Sequence, residues 1–283
     1  MQKLKEESAV SLPANQPYSV LMSVYYGEKA EYLRKSVESI FAQTVLPDEF
    51  VLVVDGPVGN ELSKEIELLK QRFGINCVSL PQNSGLGAAL NFGLSHCKNE
   101  IVARMDSDDV AAPDRMEKQL ALMQQTNADI VSSAVLEFKE NPDDAEKQRI
   151  VPKTHAEIMA FARRRNPFNH PAVVYKKSVI ENAGGYMDYE FFEDYELFAR
   201  ALSLGAVGAN CTQPLVFMRT GGGMYERRGG SSYVKKINRF YNKMRALGFC
   251  GFKETLFCQM PRVVIAILPT KVRKFVYQKF LRG

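Results

Sequence analysis

The chain has 283 residues, of which 46% are hydrophobic and 24% are charged. This composition is typical of a folded globular protein, and it excludes a wholly disordered chain and a protein that crosses a membrane many times. The net charge of +5 is unevenly distributed, because residues 227–283 contain 14 lysines and arginines and one acidic residue, Glu254. An acidic body followed by a basic segment is not typical of a nucleic-acid-binding enzyme, so we expect no nucleic acid as partner.

The cysteines and the N-terminus indicate the cellular compartment. The five cysteines contain no Cys-x-x-Cys pair, and with only three histidines in the chain they offer no zinc site. The first ten residues carry several charges and no apolar run, so they do not form a secretory signal. We therefore expect a protein of the reducing cytoplasm.

Residues 1–17 are polar and predict a loose leader. From residue 18 onward, short runs of strand-forming residues alternate with segments whose apolar residues recur at helical spacing. Strands are predicted at 18–25, 50–54, 76–80, 101–105 and 130–138. Helices are predicted at 28–43, 61–73, 86–97 and 113–125.

Repeated strand–helix units of this length predict an α/β fold, in which a mostly parallel central sheet is flanked by helices on both faces. Ligands of such sheets bind beyond the carboxyl ends of the strands, so the informative residues should follow the first four strands. After about residue 150 the pattern is broken by prolines and glycine pairs. We expect one domain over residues 18–225 and a basic, helical C-terminal extension over 226–283.

The densest group of acidic residues follows the fourth predicted strand, in the run Asp106-Ser107-Asp108-Asp109. Carboxylates this close repel one another unless a cation is present, and Mg²⁺ and Mn²⁺ prefer oxygen ligands while leaving positions open for phosphate oxygens. Side chains repeat every two residues at a strand end, so Asp106 and Asp108 should project to the same side. The pattern favours a metal–diphosphate site; the alternative is an acidic turn that caps the helix near Pro113.

Taken in order, several runs resemble the nucleotide-sugar domain of glycosyltransferase family 2: SVLMSVYYGEKAEYLRKSVESIFAQT, FVLVVDG, QNSGLGAALNFGL, IVARMDSDD and PDRMEKQ. The resemblance covers residues 18–220. It implies the GT-A nucleotide-sugar fold, inverting sugar transfer, and Mn²⁺ or Mg²⁺ as cofactor.

The resemblance also implies which residues bind the nucleotide-sugar: Tyr25, Glu28, Asp55, Asn83, Arg104 and Asp106. Within this set, Tyr25 and Glu28 would hold the base and ribose, and Asp55 would lie at the uracil edge. The alternative for Tyr25 and Asp55 is that they only shape turns.

Asp106 would lie near the ribose, and Asp108 would bind the metal, with Asp106 as a second ligand. Two positions depart from the family pattern. Gly56 stands where many relatives carry a second acidic residue, and Leu90 stands where an arginine is usual.

A second acidic site follows from the chemistry, because an inverting transfer needs a carboxylate that removes the proton of the acceptor hydroxyl. The run FFEDYEL, residues 191–197, resembles the Glu-Asp motif of the family, in which the Asp is the base. The resemblance therefore assigns Asp194 as the catalytic base and Glu193 as the residue that positions the acceptor. The alternative is that both acids only begin a helix, where they favour its dipole.

His170 and Arg219 are weaker candidates. His170 lies in a segment that resembles the acceptor side of the family, although a lone histidine is more often structural. No histidine follows it in the chain, so phosphate and water should complete the coordination of the metal. Arg219 precedes a glycine-rich basic run and would pair with a diphosphate; the alternative is a flexible basic loop that faces lipid.

Residues 260–283 mix large apolar residues with lysines and arginines. Their longest uninterrupted apolar run, 263–268, is far shorter than the roughly 20 residues that span a bilayer. The segment therefore predicts an amphipathic element at a membrane interface, attracted to anionic lipids. The alternative is a helix that docks on the body.

We therefore expect an inverting hexosyltransferase that is peripheral on the inner face of the cell membrane. It would move a sugar from a UDP-linked hexose or N-acetylhexosamine to a lipid-linked saccharide of O-antigen, capsule or exopolysaccharide. Two alternatives stay open. A sugar nucleotidyltransferase would need a Gly-rich basic loop after the first strand, which YYGEKAEY does not provide. A catalytically inactive membrane-surface scaffold of the same fold would bind no donor.

Overall fold

A computed structural model describes residues 16–145, 147–221, 229–270 and 272–273. The expectations for residues 1–15, for the basic end of the glycine-rich run at 222–228, and for the last ten residues lie outside the described residues.

Strands and helices alternate regularly in the first part of the described chain, from residue 18 to residue 106. The strands are β1 (Tyr18–Tyr25), β2 (Glu49–Asp55), β3 (Asn76–Leu80), β4 (Ile101–Asp106), β5 (Val110–Ala111), β6 (Ile130–Phe138), β7 (Lys147–Arg149), β8 (Val174–Lys176) and β9 (Gly208–Arg219). The helices are α1 (Ala30–Phe41), α2 (Asn60–Phe73), α3 (Leu86–His96), α4 (Arg115–Thr126), α5 (His155–Ala162), α6 (Lys177–Asn182), α7 (Glu193–Ser203), α8 (Gly230–Ala246) and α9 (Phe252–Ile267). The predicted strands and helices agree with these bounds to within two residues at each end.

The strands form one mixed sheet in the order β3-β2-β1-β4-β8-β6-β9-β5, with β7 paired to β6. The first four strands in this order are parallel to one another. β8 is antiparallel to both of its neighbours, β4 and β6, while β9 runs parallel to β6. The predicted mostly parallel sheet is therefore confirmed, with an antiparallel insertion that the sequence patterns did not predict.

Helices cover both faces of the sheet. Because successive side chains of a strand point to opposite faces, Leu21 of β1 belongs to one hydrophobic cluster while Val20 and Met22 belong to the other. Helices α1, α2 and α4 contribute to the cluster that contains Val20, and α3 and α5–α9 contribute to the cluster that contains Leu21. Each fully buried side chain of this size stabilises the fold by about 1.5–3 kcal/mol.

The ends of the parallel strands lie side by side, as the strand–helix pattern predicts. Tyr25 pairs with Asp55, and Asp55 pairs in turn with Leu80. On the other side of β1, Ser23 pairs with Asp106. The polar residues that follow the first four strands therefore meet at one edge of the sheet.

Helices α8 and α9 form a hairpin that packs against the start of α7. The ring of Phe192, just before α7, stacks on that of Phe240 in α8, with their centroids 4.6 Å apart. Buried residues of both hairpin helices belong to the same cluster as those of α3 and α7. The described part of the extension therefore packs on the body, and the domain boundary at residue 225 stays a prediction. No helix within the described residues is both long and apolar enough to cross a bilayer.

Candidate active site

The acidic run after β4 begins with a residue that is already paired. Asp106 accepts two hydrogen bonds from the guanidinium of Arg104, with Nη1–Oδ2 at 2.7 Å and Nη2 bound to Oδ1. Arg104 is 1% exposed, and a buried cation of this kind requires a close anion. Asp106 therefore compensates Arg104 and keeps only part of its oxygen surface for a ligand.

Neither Asp108 nor Asp109 forms an ion pair of this kind with a described residue, although the charges of Arg219 and Arg104 act on them more weakly. Burial, followed by the charges of Asp106 and Glu28, raises the pKa of Asp108 to about 7. Burial also raises the pKa of Asp109 well above its ordinary value, and the charges of Asp106 and Asp108 add to the effect. A cation at this point would offset both the burial of these carboxylates and their mutual repulsion, because it would stabilise their charged forms.

Asp109 has a structural partner. Its Oδ1 accepts a hydrogen bond from the backbone N–H of Arg219 at 2.7 Å, which ties the end of β9 to the acidic run. Its buried Oδ2 has no partner among the described residues. The alternative of an acidic cap on α4 is not supported, because Asp114 occupies the cap position and makes no side-chain bond there.

The donor set fits a hard divalent cation, although the protein supplies only part of its ligands. Carboxylate oxygens from Asp108 and the free lone pairs of Asp106 are the ligands that Mg²⁺ and Mn²⁺ prefer. Within the described chain, no three acidic, histidine or cysteine side chains already surround one metal position. The remaining ligands would come from water and from the bound substrate.

The loop after β1 contacts the acidic run directly. Ser107, between the two acids, donates its hydroxyl hydrogen to Glu28 Oε2 at 2.6 Å. Tyr25, at the end of β1, is 44% exposed, and its ring meets that of Tyr26 edge to face at 5.3 Å. The structure thus brings these predicted donor-side residues to the same edge of the sheet as Asp108.

Asp55 holds the loop before α3 in place. Both carboxylate oxygens are bound by the loop before α3, at 2.7 Å from the backbone nitrogen of Ser84 and 3.0 Å from that of Gly85. The side chain is buried, and exposed Asn83 lies next to this loop. Asp55 anchors the loop in the structure, and a direct contact of either residue with the base stays a prediction.

The structure explains the two departures from the family pattern, one by sterics and one by burial. Gly56 has φ +82°, and a Cβ at this position would lie 2.4 Å from the backbone nitrogen of Asn83, so a second acidic residue does not fit. Leu90 is fully buried in the cluster on the α3 side of the sheet, where an unpaired arginine would be costly.

Glu193 and Asp194 form the first turn of α7, and both side chains are half-buried. Asp194 is held by two hydrogen bonds, from Asn166 Nδ2 to Oδ2 and from the Tyr195 backbone nitrogen to Oδ1, each at 2.7 Å. Oε2 of Glu193 is buried and has no partner among the described residues. Phe191, two residues before Glu193, has φ +73°, a strained backbone conformation of the kind found at functional sites.

Burial raises the pKa values of both acids. The pKa of Glu193 rises to about 7, because its burial is reinforced by the charge of Asp194. For Asp194 the rise is opposed by the hydrogen bond from Tyr195. A carboxylate with a pKa near neutrality is suited to accept a proton at physiological pH.

The charge of Arg104 acts on both acidic groups. Burial raises the pKa values of Asp109, Glu193 and Asp194, and the positive charge of Arg104 partly offsets the rise at all three. The first turn of α3 borders the same region, because a Cβ added to Gly87 would lie 4.0 Å from the Cβ of Glu193. The structure therefore brings together the acids after β4, the acids of α7 and the start of α3.

His170 lies beside this region in a half-buried position. Its Nε2 is 3.0 Å from the hydroxyl of Tyr186, and its ring also contacts that of Phe198. Burial, and then the charge of Arg104, lowers the pKa of His170 well below its ordinary value, so the ring is neutral. These contacts account for His170 structurally, and its role toward the acceptor stays a prediction.

Arg219 has structural partners that the sequence did not reveal, and its pairing with a diphosphate stays a prediction. It ends β9, where Nε donates to the carbonyl oxygen of Asp108 at 3.1 Å and Nη1 donates to that of Lys139 at 2.7 Å. The guanidinium also lies over the ring of Tyr32, 3.7 Å from its centroid, and against Phe138. Arg219 is therefore a buried support for the backbone of Asp108, rather than part of a flexible loop, and only its Nη2 lacks a partner among the described residues.

Asn166 and Tyr186 were not identified from the sequence. Asn166 lies 28 positions before its partner Asp194, and Tyr186 lies 16 positions after His170. Neither belongs to a recognisable motif, and no local pattern reports a hydrogen bond across such a separation. The dipeptide Asn166-Pro167 indicates a turn, which is the one signal that the sequence carries here.

Comparisons with known proteins bear on the whole chain. The sequence model of "Glycosyl transferase family 2" matches residues 19–183. The amylovoran biosynthesis glycosyltransferase AmsE of Erwinia amylovora is 38% identical over 94% of this chain and 100% of its own length. A UDP-Gal:alpha-D-GlcNAc-diphosphoundecaprenol beta-1,3-galactosyltransferase of Escherichia coli is 37% identical, over 94% of this chain and 96% of its own.

Two solved structures share the fold at low sequence identity. S. aureus TarS in complex with UDP-GlcNAc superposes with a TM-score of 0.65 at 15% identity, over 94% of this chain and 71% of its own. The mannosyltransferase PcManGT of Pyrobaculum calidifontis, in complex with GDP-Man and Mn²⁺, gives a TM-score of 0.64 at 16% identity, over 96% of this chain and 82% of its own. The expected GT-A architecture is thereby confirmed.

Proposed function

The chain belongs to glycosyltransferase family 2, and we propose that it transfers a sugar from a nucleotide-sugar to a lipid-linked saccharide in the synthesis of a cell-surface polysaccharide. The proposed donor is a UDP-linked hexose or N-acetylhexosamine. The names of the two relatives support this proposal, one for exopolysaccharide synthesis and one for a UDP-sugar donor and a diphosphoundecaprenol-linked acceptor.

One observation carries the proposal. Two separate groups of buried or half-buried carboxyl groups, one after β4 and one at the start of α7, lie within the electrostatic reach of Arg104. A single-displacement transfer requires two such sites, one for the diphosphate and one for the acceptor hydroxyl. A sugar nucleotidyltransferase or an inactive scaffold would not require the second group.

On the donor side, Asp108 and Asp106 would hold Mn²⁺ or Mg²⁺. The bound ion would offset the charge of the departing diphosphate and orient it. The presence of Mn²⁺ with GDP-Man in PcManGT supports this assignment. Tyr25, Glu28 and exposed Asn83 border the same edge of the sheet and would contact the base and ribose.

On the acceptor side, Asp194 would accept the proton of the attacking hydroxyl, so that the anomeric configuration inverts in one step. Its hydrogen bonds to Asn166 and to the backbone of Tyr195 hold the carboxylate in one orientation, and such positioning is a large part of general-base catalysis. Glu193, with its unpartnered buried oxygen, would bind an acceptor hydroxyl. Arg104 keeps both acids from rising further in pKa.

A lipid-linked acceptor would place the enzyme at the inner face of the cell membrane. The basic segment from residue 227 onward supports this location, because anionic headgroups attract lysine and arginine side chains.

The test separates donor binding from transfer. Titration of UDP-, GDP- and dTDP-sugars into the enzyme with and without Mn²⁺ should give heat with a UDP-sugar and more of it with the metal. Asp194→Asn should bind the donor as the wild type does, while transfer to a GlcNAc-diphospholipid falls by roughly 100-fold or more. Asp143→Asn, an acid outside the site, is the control. Normal turnover by Asp194→Asn would refute the assignment of the base.

A further inference from the structure

Helix α9 exposes an apolar side to solvent. Every residue of α9 is described, and eight of its residues are exposed. Six of them are large apolar side chains, which we call the α9 face: Phe252, Leu256, Phe257, Met260, Val264 and Ile267. The other two exposed residues are Lys253 and Pro261.

This pattern is the reverse of that expected for a helix on a protein surface, which presents polar residues to water. The opposite side of α9 is already packed on the body, through Thr255, Cys258, Ile265 and Ala266. Single exposed apolar residues are common, but a continuous row along four turns of one helix indicates contact with another surface. The helix is therefore apolar on both sides and requires a second partner.

The charges around the α9 face indicate the chemistry of that partner. Helix α8 carries five lysines and arginines and no acidic residue. Arg245, near its end, lies 5.2 Å from the ring centroid of Phe252, and exposed Lys253 follows Phe252 directly in the chain. An apolar surface beside cations fits the interface of an anionic bilayer. A second copy of the chain would instead bring like charges together across a two-fold interface.

The length of the helix determines how it would meet a bilayer. With 16 residues, α9 is about 24 Å long. A helix that spans a bilayer needs roughly 20 residues, or about 30 Å. It would therefore lie parallel to the membrane plane, with its apolar face among the headgroups and the upper acyl chains.

The packed side of α9 connects to the catalytic region. Arg262 donates a hydrogen bond from Nη2 to the carbonyl oxygen of Arg164 at 3.2 Å, and Cys250, just before α9, donates to that of Arg163. Two residues further along the same segment, Asn166 binds the carboxylate of Asp194. Helix α9 therefore packs on the segment that carries Asn166, the residue that holds the carboxylate of the proposed base.

We propose that the α9 face inserts into the interfacial layer of an anionic bilayer and orients the acceptor side of the enzyme toward the membrane. This inference rests on the proposed function in that a lipid-linked acceptor is the reason for such an orientation. It goes beyond the expected attraction of residues 260–283 to anionic lipids, because it assigns the contact to the apolar side chains of the α9 face. Three of these, Phe252, Leu256 and Phe257, precede that segment.

The experiment uses the absence of tryptophan from the chain. In full-length Phe257→Trp, position 257 carries the sole tryptophan, and it replaces a side chain that is 76% exposed. With phosphatidylglycerol–phosphatidylethanolamine vesicles we expect a blue shift of its emission and quenching by brominated acyl chains. Leu204→Trp, at a position that is 69% exposed outside the α9 face, is the matched control and should show neither effect.

Binding strength gives a second measurement. The double variant Phe257→Ser/Met260→Ser should lower the vesicle partition coefficient by roughly ten-fold for each side chain. The variant Leu68→Ser/Leu204→Ser, which removes two apolar residues that are also exposed, should partition as the wild type does. Sedimentation with vesicles at high salt separates electrostatic attraction from apolar insertion. Salt weakens the attraction between lysine and arginine side chains and anionic lipids, while it leaves the insertion of the α9 face in place.

Two outcomes would overturn the inference. One is that Phe257→Trp sediments with anionic vesicles while its tryptophan emission neither shifts nor is quenched, which would assign the contact to another surface. The other is an emission shift that depends on protein concentration without vesicles, together with a dimer in sedimentation velocity, which would assign the face to a second copy. Transfer to a water-soluble saccharide diphosphate, measured without vesicles, tests the proposed function independently.

Discussion

At the scale of single residues, the site depends on polar side chains that hold other side chains in place. Asp55 holds the loop before α3, Arg219 holds the backbone of Asp108, and Asn166 holds Asp194. None of these interactions follows from the sequence motifs, which identify the acids but not their supports. The acids are identifiable because they cluster next to a strand or helix, whereas each support lies far along the chain from the residue that it contacts.

Asn166 allows a test of such support. Its hydrogen bond stabilises the charged form of Asp194, so Asn166→Ala should raise the pKa of that carboxyl group further. We expect kcat to fall by roughly ten-fold to 100-fold, KM for the donor to stay unchanged, and the acidic limb of the pH–rate profile to move to higher pH. Steady-state kinetics between pH 5 and 9 would measure all three.

The control for Asn166 is Asn242→Ala, on an exposed part of α8. A merely structural role of Asn166 would lower the activity at every pH by the same factor. The assignment would be wrong if the acidic limb of Asn166→Ala coincided with that of the wild type.

At the scale of elements, the strands and helices up to β6, except the two-residue strand β5, could be predicted because each has a clear apolar pattern. The apolar run 172–175 indicates the short strand β8, but its pairing could not be predicted, since β4 and β6 are distant along the chain. The packing of the α8–α9 hairpin on α7 is equally non-local. Its amphipathic pattern indicates helices but does not distinguish a membrane from the protein body as the surface that they contact.

Helix α7 contains a buried ion pair that orders the loop before it. Glu196, which is fully buried, pairs with Arg200 one turn later. Arg200 also donates hydrogen bonds to the carbonyl oxygens of Ala183 and Gly185, next to Tyr186. The pair therefore connects the start of the catalytic helix to the loop that carries Tyr186.

Arg200→Met should lower the free energy of unfolding by about 3–5 kcal/mol, because it leaves Glu196 charged, buried and unpaired. The double variant Glu196→Gln/Arg200→Met should lose less, since no buried charge remains. Urea unfolding measures both. Lys118→Met, which breaks an exposed ion pair with Asp114, is the control and should cost at most about 1 kcal/mol. Equal losses for the single and double variants would contradict this account.

At the scale of the whole molecule, charge is distributed by function. The carboxyl groups with raised pKa values lie at one edge of the sheet, and the net positive charge lies beyond residue 226, where 14 lysines and arginines stand against one acidic residue. The composition predicts the second part of this arrangement directly. The first part requires the fold, because burial and mutual repulsion, rather than the number of acids, raise the pKa values of Asp108 and Glu193.

This concentration of buried acids should make the stability of the metal-free protein depend on pH. The pKa values of Asp108 and Glu193 are about 7 in the folded chain, against ordinary values of 3.8 and 4.5. Between about pH 4 and pH 7 the folded state therefore binds more protons than the unfolded state, so these groups make stability fall as the pH rises through that window. Acids whose pKa values are lowered, such as Glu65, act in the opposite direction, but below about pH 4.5.

Mn²⁺ should restore the stability that the metal-free protein loses as the pH rises, and the effect should be larger where more of Asp108 is deprotonated. In thermal unfolding with EDTA, we expect a lower Tm at pH 8 than at pH 5.5 from these groups. Added Mn²⁺ should raise Tm at pH 8 and have little effect at pH 5.5, where protons occupy the same carboxyl groups and compete with the metal. Asp108→Asn should unfold at a higher temperature than the wild type at pH 8 without metal, because it removes one of the repelling charges, and it should respond little to Mn²⁺. An equal rise of Tm with Mn²⁺ at both pH values, or a full response of Asp108→Asn, would place the ion elsewhere on the molecule.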